Sequence, residues 1–111
     1  MAAISDTNLS MVRGDTLAFG VEIEDLDQDL ETCYFSCKTD PSNTEYVFQK
    51  SLENGISKVE TGKYRIRVAP EDTYSLEPAK YYYDLQIGIN SDIYTILKGK
   101  LDIVVDITRE E

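Results

Sequence analysis

The segment PEDTYSLEPAKYYYDLQI, residues Pro70 to Ile87, decides the fold. Its first residues predict one helical turn, because Pro70 suits the first helical position and the acidic residues after it, Asp72 among them, face the positive end of the peptide dipoles. A run of alternating apolar side chains follows, with Tyr81 and Tyr83 on its inward face. The sequence therefore predicts a short helical turn near residues 70–76 that leads directly into a half-buried strand.

This combination is typical of one kind of corner. In Greek-key sandwiches of the immunoglobulin type, the crossover before a core strand often makes a helical turn, and a tyrosine early in that strand donates its hydroxyl to the crossover backbone. Tyr81 or Tyr83 is placed to do this, so we expect a structural corner made of Pro70, Asp72, Tyr81 and Tyr83.

Alternation with period two recurs along the chain, and no segment has a long apolar stripe at helical spacing. Weaker strands are expected near residues 8–13 and 46–51, and Gly99 is expected to be a bulge that lets the last strand bend or change partner. The predicted inward positions outside the opening segment are Leu17, Phe19, Val21, Ile23, Cys33, Phe35, Cys37, Tyr64, Ile66, Val68, Leu101, Ile103, Val105 and Ile107. The sequence predicts one all-β domain over residues 1–111, an immunoglobulin-like Greek-key sandwich of seven or eight antiparallel strands.

Charge limits the classes of partner. Eleven basic and 21 acidic residues give a formal net charge of -10, which repels phosphate backbones and anionic lipids, so neither nucleic acid nor a membrane surface is an expected partner. The first thirty residues lack a basic start followed by an apolar region, and no apolar run approaches the ~18 residues that span a bilayer. Neither export by a signal peptide nor a membrane span is expected.

The residue types for common catalytic and metal sites are sparse. The chain has no histidine, which excludes Ser/His and Cys/His nucleophilic sites, and its carboxylates are spread over turns and outward positions. We therefore expect no enzymatic activity, no catalytic residues, no cofactor and no small-molecule substrate. Cys33 and Cys37 on one strand would have Cα atoms ~13 Å apart, too far for a disulfide, so both are expected to be free thiols packed in the core.

Two acidic motifs invite functional interpretations. The turn at 25–29 begins like a calcium loop, with carboxylates at alternate positions, but it lacks the glycine and the bidentate glutamate that such a loop needs. A charged connection between strands is the simpler interpretation, and weak calcium binding stays open. The RGD triplet at residues 13–15 is ordinary turn chemistry and is not expected to act in adhesion.

Three tyrosines form a candidate protein interface. Tyr34, Tyr82 and Tyr94 share the outward parity of strands that would be neighbours in one sheet, and Ile96 has the same parity. Tyrosine is enriched at the buried centres of interfaces, so this patch is the best candidate for protein contact. The alternative is that long side chains with polar tips merely cover a sheet face.

Four segments carry a resemblance to a known family: MVRGDTLAF at 11–19, FQKS at 48–51, GKYRIRVAPEDTYSLEPAKYYYDLQI at 62–87 and IYTILKGKLDIVVDIT at 93–108. Over about residues 10–108 the chain resembles the N-terminal, immunoglobulin-like domain of phage baseplate upper proteins, found in tailed phages and prophages of Gram-positive bacteria. The most specific part is the PEDT..LEP.KYYYD segment followed at a fixed distance by YT.L.GK...V.DIT.

The resemblance implies a non-enzymatic structural role, in which the domain attaches a tail or baseplate component to other virion proteins. It implies a location in the virion and, during assembly, in the host cytoplasm. A homo-oligomer is compatible with this role, because virion parts occupy symmetric positions. The alternative is an adhesion or carbohydrate-binding sandwich that contacts the host cell surface through its loops, which aromatic loop residues would favour.

Overall fold

The fold is built almost entirely from strands, in a computed structural model that describes residues 5–24 and 26–108. Within those residues one helical turn interrupts nine strands. The elements are β1 (Ser5–Asp6), β2 (Leu9–Val12), β3 (Leu17–Glu22), β4 (Thr32–Lys38), β5 (Phe48–Ser51), β6 (Ile56–Glu60), β7 (Lys63–Val68), α1 (Pro70–Thr73), β8 (Ala79–Ile89) and β9 (Asp92–Val104). The predicted all-β class is confirmed.

Two sheets pack face to face. The larger sheet has the order β1-β9-β8-β4-β5, with β2 also paired to β9, and the smaller sheet has the order β3-β7-β6. Consecutive strands repeatedly lie in different sheets, as β3 and β4, β5 and β6, and β7 and β8 do. Crossing between layers in this way is the Greek-key arrangement of an immunoglobulin-like sandwich, as the sequence predicts.

The strand count and direction differ in detail from the prediction. The described residues form nine strands rather than seven or eight, and both β1 and β2 run parallel to β9 instead of antiparallel. The turn after β2 carries the chain to the other sheet, so no hairpin fixes β2 in an antiparallel direction. The sequence did not predict β6, because only Ile56 of its five residues is buried and the alternation is therefore weak.

A single hydrophobic core lies between the sheets. Phe35 of β4 is at its centre, with its ring 5.6 Å from that of Phe19 and 5.3 Å from that of Tyr83. Aromatic pairs at these separations stabilise a core beyond their area of burial. The largest fully buried side chains are Tyr64, Phe35, Ile66, Leu85, Ile87, Leu101, Ile103, Val68, Thr73, Cys33 and Cys37.

Gly99 marks the point where β9 changes partner. β1 pairs with Leu97 and Lys98, and β2 takes over at Leu101, so the link between β1 and β2 passes beside Gly99. A Cβ atom at this position would collide with the backbone oxygen of Thr7. The strand does change partner at Gly99, as expected, but the predicted bulge at this residue is wrong, because Gly99 pairs with Tyr83 in regular register and the bulge lies earlier in β9.

The last strand is shorter than predicted. β9 ends at Val104, and Val105 and Ile107, which were predicted to face inward, are 62% and 100% exposed. The backbone N–H of Arg13 donates to the Val104 carbonyl at 2.9 Å, after which the chain turns into β3 and leaves β9 without a neighbouring strand. Loss of the pairing strand therefore ends the alternation of burial.

Candidate functional site

The predicted corner residues lie together at one end of the sandwich. The Tyr81 hydroxyl donates a hydrogen bond to the Glu77 carbonyl at 2.6 Å, which links β8 to the chain four residues upstream. Burial, followed by the influence of Cys37 and Glu77, raises the pKa of this hydroxyl above 10.0 and keeps it a donor. The Tyr83 hydroxyl donates instead to the Thr7 carbonyl, so this tyrosine holds the N-terminal edge of the sheet.

The helical turn is held by a buried ion pair that the sequence analysis missed. Asp72 Oδ2 accepts the Ala69 N–H at 2.7 Å and lies 2.7 Å from the Nζ atom of Lys50, a residue only 4% exposed. The alternation of Phe48 and Lys50 in β5, both buried, is the signal that could have placed this lysine inward. Pro70 begins α1, as expected. These residues are structural, because they join β5 to the crossover.

The tyrosine patch is only partly assembled. Tyr34 of β4 and Tyr82 of β8 point to the outer face of the larger sheet, as predicted. Tyr94 lies opposite the buried Ile87, and both Tyr94 and Ile96 pack against the core, so the predicted outward face of these two residues is wrong. The cause is a bulge: Leu85 pairs with Leu97 but Gln86 pairs with Thr95, which leaves Ile96 as an extra residue. One extra residue reverses the parity of the strand before it.

Tyrosine and lysine side chains line the outer face of the larger sheet. They enclose a shallow, open groove of about 790 Å³ over strands β9, β8 and β4. We call this surface the tyrosine-lysine groove and define it by Tyr34, Tyr46, Tyr82, Lys38, Lys98 and Lys100. Tyr46 comes from the loop between β4 and β5, and the lysines occupy outward positions on β4 and β9. Alternation of inward and outward residues in β9 could have predicted the outward positions of Lys98 and Lys100.

The ammonium groups of the groove lie against its rings. Lys38 Nζ is 5.0 Å from the centre of the Tyr46 ring, and Lys100 Nζ is 5.6 Å from that of Tyr82, both within the range of a cation-π interaction. Lys38 also donates to the Asn43 carbonyl at 2.7 Å. No ion pair in the described part of the chain involves Lys98 or Lys100. The groove therefore contains two ammonium groups that form no ion pair with carboxylates in the described part of the chain.

One carboxylate lies on the groove floor. Asp84 of β8 is directly opposite Lys98 and is half-buried. Burial raises the pKa of Asp84 above its ordinary 3.8, and the nearby Lys38 partly opposes that rise. Three lysines against one carboxylate leave the groove positive, in contrast with the net charge of -10 on the whole chain.

The remaining motifs have structural surroundings. Arg13 pairs with Asp106 at 2.8 Å and donates to the Leu76 carbonyl, so the arginine of the RGD triplet is held against its own chain. Cys33 and Cys37 are buried free thiols, as predicted, and burial raises the pKa of each to about 12.

The acidic turn is described only in part. Asp25 lies outside the described residues, and Asp29 pairs with Lys58 at 2.6 Å. Residues 5–24 and 26–108 contain no group of three or more His, Cys, Asp or Glu side chains that could hold a metal ion. Over the same residues, no helix is long and apolar enough to cross a membrane.

Fold and surface together define the class: an immunoglobulin-like β-sandwich with a concave sheet face lined by tyrosine and lysine. No protein-family model and no curated protein sequence matches the chain. Among solved structures, it is similar to the extracellular domain of the voltage-gated sodium channel beta4 subunit, with 13% sequence identity, a TM-score of 0.48 and coverage of 96% of this chain and 98% of that one. That domain forms parallel homodimers that are related to its role in cell-cell adhesion.

Proposed function

We propose that this chain is a non-enzymatic structural module of a phage or prophage tail or baseplate, and that it binds other virion proteins through the tyrosine-lysine groove. The observation that carries the protein-binding part is the groove itself, which presents Tyr46 and Tyr82 at 49% and 36% exposure on an open sheet face. Exposed tyrosines surrounded by polar side chains are typical of the centre of a protein interface. The phage assignment is supported by the family resemblance of the sequence.

Carbohydrate binding is the competing function, and the positions of the lysines disfavour it. A sugar ring binds by stacking on an open aromatic face, whereas ammonium groups lie over Tyr46 and Tyr82. The same ammonium groups are suited to carboxylates, the commonest anionic groups on protein surfaces. The groove chemistry therefore favours a protein partner over a glycan.

Two experiments test the proposal. Mass spectrometry of purified particles after prophage induction should find peptides of this chain. Particles that lack these peptides would contradict a virion role. Particles produced with the variant Tyr34→Ser/Tyr82→Ser should then contain much less of the chain. Val59→Ser is the matched control, because Val59 is 64% exposed on β6 of the other sheet and should not affect incorporation.

A further inference from the structure

Exposed carboxylates are concentrated at one end of this protein, where one of them, Asp29, is paired with Lys58. The loop from Ile23 to Glu31 joins β3 to β4 and carries four exposed carboxylates at one end of the sandwich. We call this surface the acidic end and define it by Glu24, Asp27, Asp29 and Glu31. Two hydrogen bonds hold the loop to the turn between β8 and β9, from Gln28 to Asn90 at 2.9 Å and from the Ser91 N–H to Glu31 at 3.3 Å.

The acidic end cannot neutralise the groove of its own chain. Tyr82, which lies opposite Lys100, is seven residues before the end of β8 at Ile89, a distance of ~23 Å at ~3.3 Å per residue. Charges in water separated by more than ~8 Å are largely screened at physiological salt. Within one chain, Asp84 is the one carboxylate of the described residues in the groove and the acidic end adds none, so the three lysines leave positive charge for carboxylates from outside.

We propose that the tyrosine-lysine groove binds the acidic end of a second copy of this chain, in a head-to-face contact. Complementary charge argues for this occupant, because the groove is locally positive and the acidic end is exposed and negative. Hydrogen bonds at Gln28 and Glu31 also hold part of the acidic end in place before it binds. The inference rests on the proposed function in one respect, that the groove is a protein contact surface.

This contact joins two different surfaces, so every copy can use both. Such heterologous contacts produce closed rings or linear arrays, depending on the rotation between neighbours. The chain measures 43 × 29 × 20 Å, and its end presents a small area to a neighbouring face. We therefore expect an interface that buries less than ~1,200 Å² in total, and interfaces of this size are typical of weak, transient association.

Sedimentation velocity tests the inference on the purified chain. The wild type should associate weakly, with a dissociation constant of ~10 μM to ~1 mM, at the weak end of the affinity scale. Lys98→Glu/Lys100→Glu should weaken association at least ~10-fold, a change of ~1.4 kcal/mol. The control Arg65→Glu/Arg67→Glu makes the same change in net charge on exposed positions of β7 and should associate like the wild type.

A charge exchange makes the test specific for the two surfaces. Glu24→Lys/Asp27→Lys should also abolish association, whereas a mixture of this variant with Lys98→Glu/Lys100→Glu should associate again, because the unaltered groove of one variant meets the unaltered acidic end of the other. A wild type that stays monomeric throughout the range, or a mixture that stays monomeric, would overturn the inference. Incorporation of the wild type into particles tests the proposed function separately. A wild type that stays monomeric in solution but is incorporated normally, as it would be if the groove bound an acidic segment of another protein, would refute only the head-to-face contact.

Discussion

Replacing Asp72 by alanine removes the partner of a buried lysine, and the structure predicts an unusual result. Lys50 Nζ lies 2.7 Å from Asp72 Oδ2, and the two side chains are only 5% and 15% exposed. In Asp72→Ala the ammonium group stays buried without its carboxylate, which costs about 3–5 kcal/mol. The Ala69 N–H also loses its acceptor. We expect a loss of about 3 kcal/mol in the free energy of unfolding, since the space left by the carboxylate can admit water.

Lys50→Met should be milder. The methionine keeps the apolar stem packed in the core, and Asp72 retains its hydrogen bond to Ala69 and some contact with water. We expect a loss of about 1 kcal/mol, since a partly hydrated, hydrogen-bonded carboxylate needs its cation less. Adding Lys50→Met to Asp72→Ala should then restore about 2 kcal/mol, because it removes the unpaired buried charge.

Urea unfolding followed by circular dichroism measures all four proteins of this double-mutant cycle. Asp72→Ala should melt about 12 °C below the wild type, at ~4 °C per kcal/mol for a domain of this size. Simple addition of the two single effects in the double variant would refute the argument, because it would show that the lysine and the carboxylate do not depend on one another.

Three further predictions follow from buried groups and close backbone contacts. Burial raises the pKa of Asp84, so the contribution of this residue to stability falls as pH rises from 3.8 through that pKa, and Asp84→Asn should be more stable than the wild type to urea at pH 7 and equal to it at pH 3; an unchanged difference at the two pH values would contradict this. Gly99→Ala should lower the melting temperature because its Cβ meets a backbone oxygen, whereas Gly20→Ala, whose Cβ has only an ordinary contact, should not; equal melting temperatures would argue against the close approach. Cys33 and Cys37, each with a pKa of about 12, should resist a thiol reagent at pH 8 until the chain is unfolded, and rapid labelling of the folded chain would count against their burial.

The sequence was sufficient for the fold class because the deciding signals are local. Alternation of apolar residues identifies the strands, and the short helical turn before Tyr81 identifies the crossover between sheets. The parallel direction of β2 was not accessible in this way, since it depends on which strand lies beside β2 in space.

The candidate surface was only partly predictable for the same reason. Tyr34 and Tyr82 follow from alternation within their own strands, but the face of Tyr94 depends on the bulge at Ile96, which appears only when β9 is paired with β8. The groove also depends on Tyr46, which a loop brings beside β4 from outside the strand pattern. A surface that several strands and a loop share is set by register and sheet curvature, which one strand's sequence does not contain.

Lysine acetylation in the assembled chain, measured by mass spectrometry, tests most directly whether the tyrosine-lysine groove is the contact surface. The same reagent is applied to the purified chain at low concentration and to particles that contain it. Labelling of Lys98 and Lys100 should fall sharply on assembly, whereas Lys63, on the smaller sheet and paired with Glu60, should be labelled alike in both. Equal labelling of Lys98 and Lys100 in the free and the assembled chain would contradict the account.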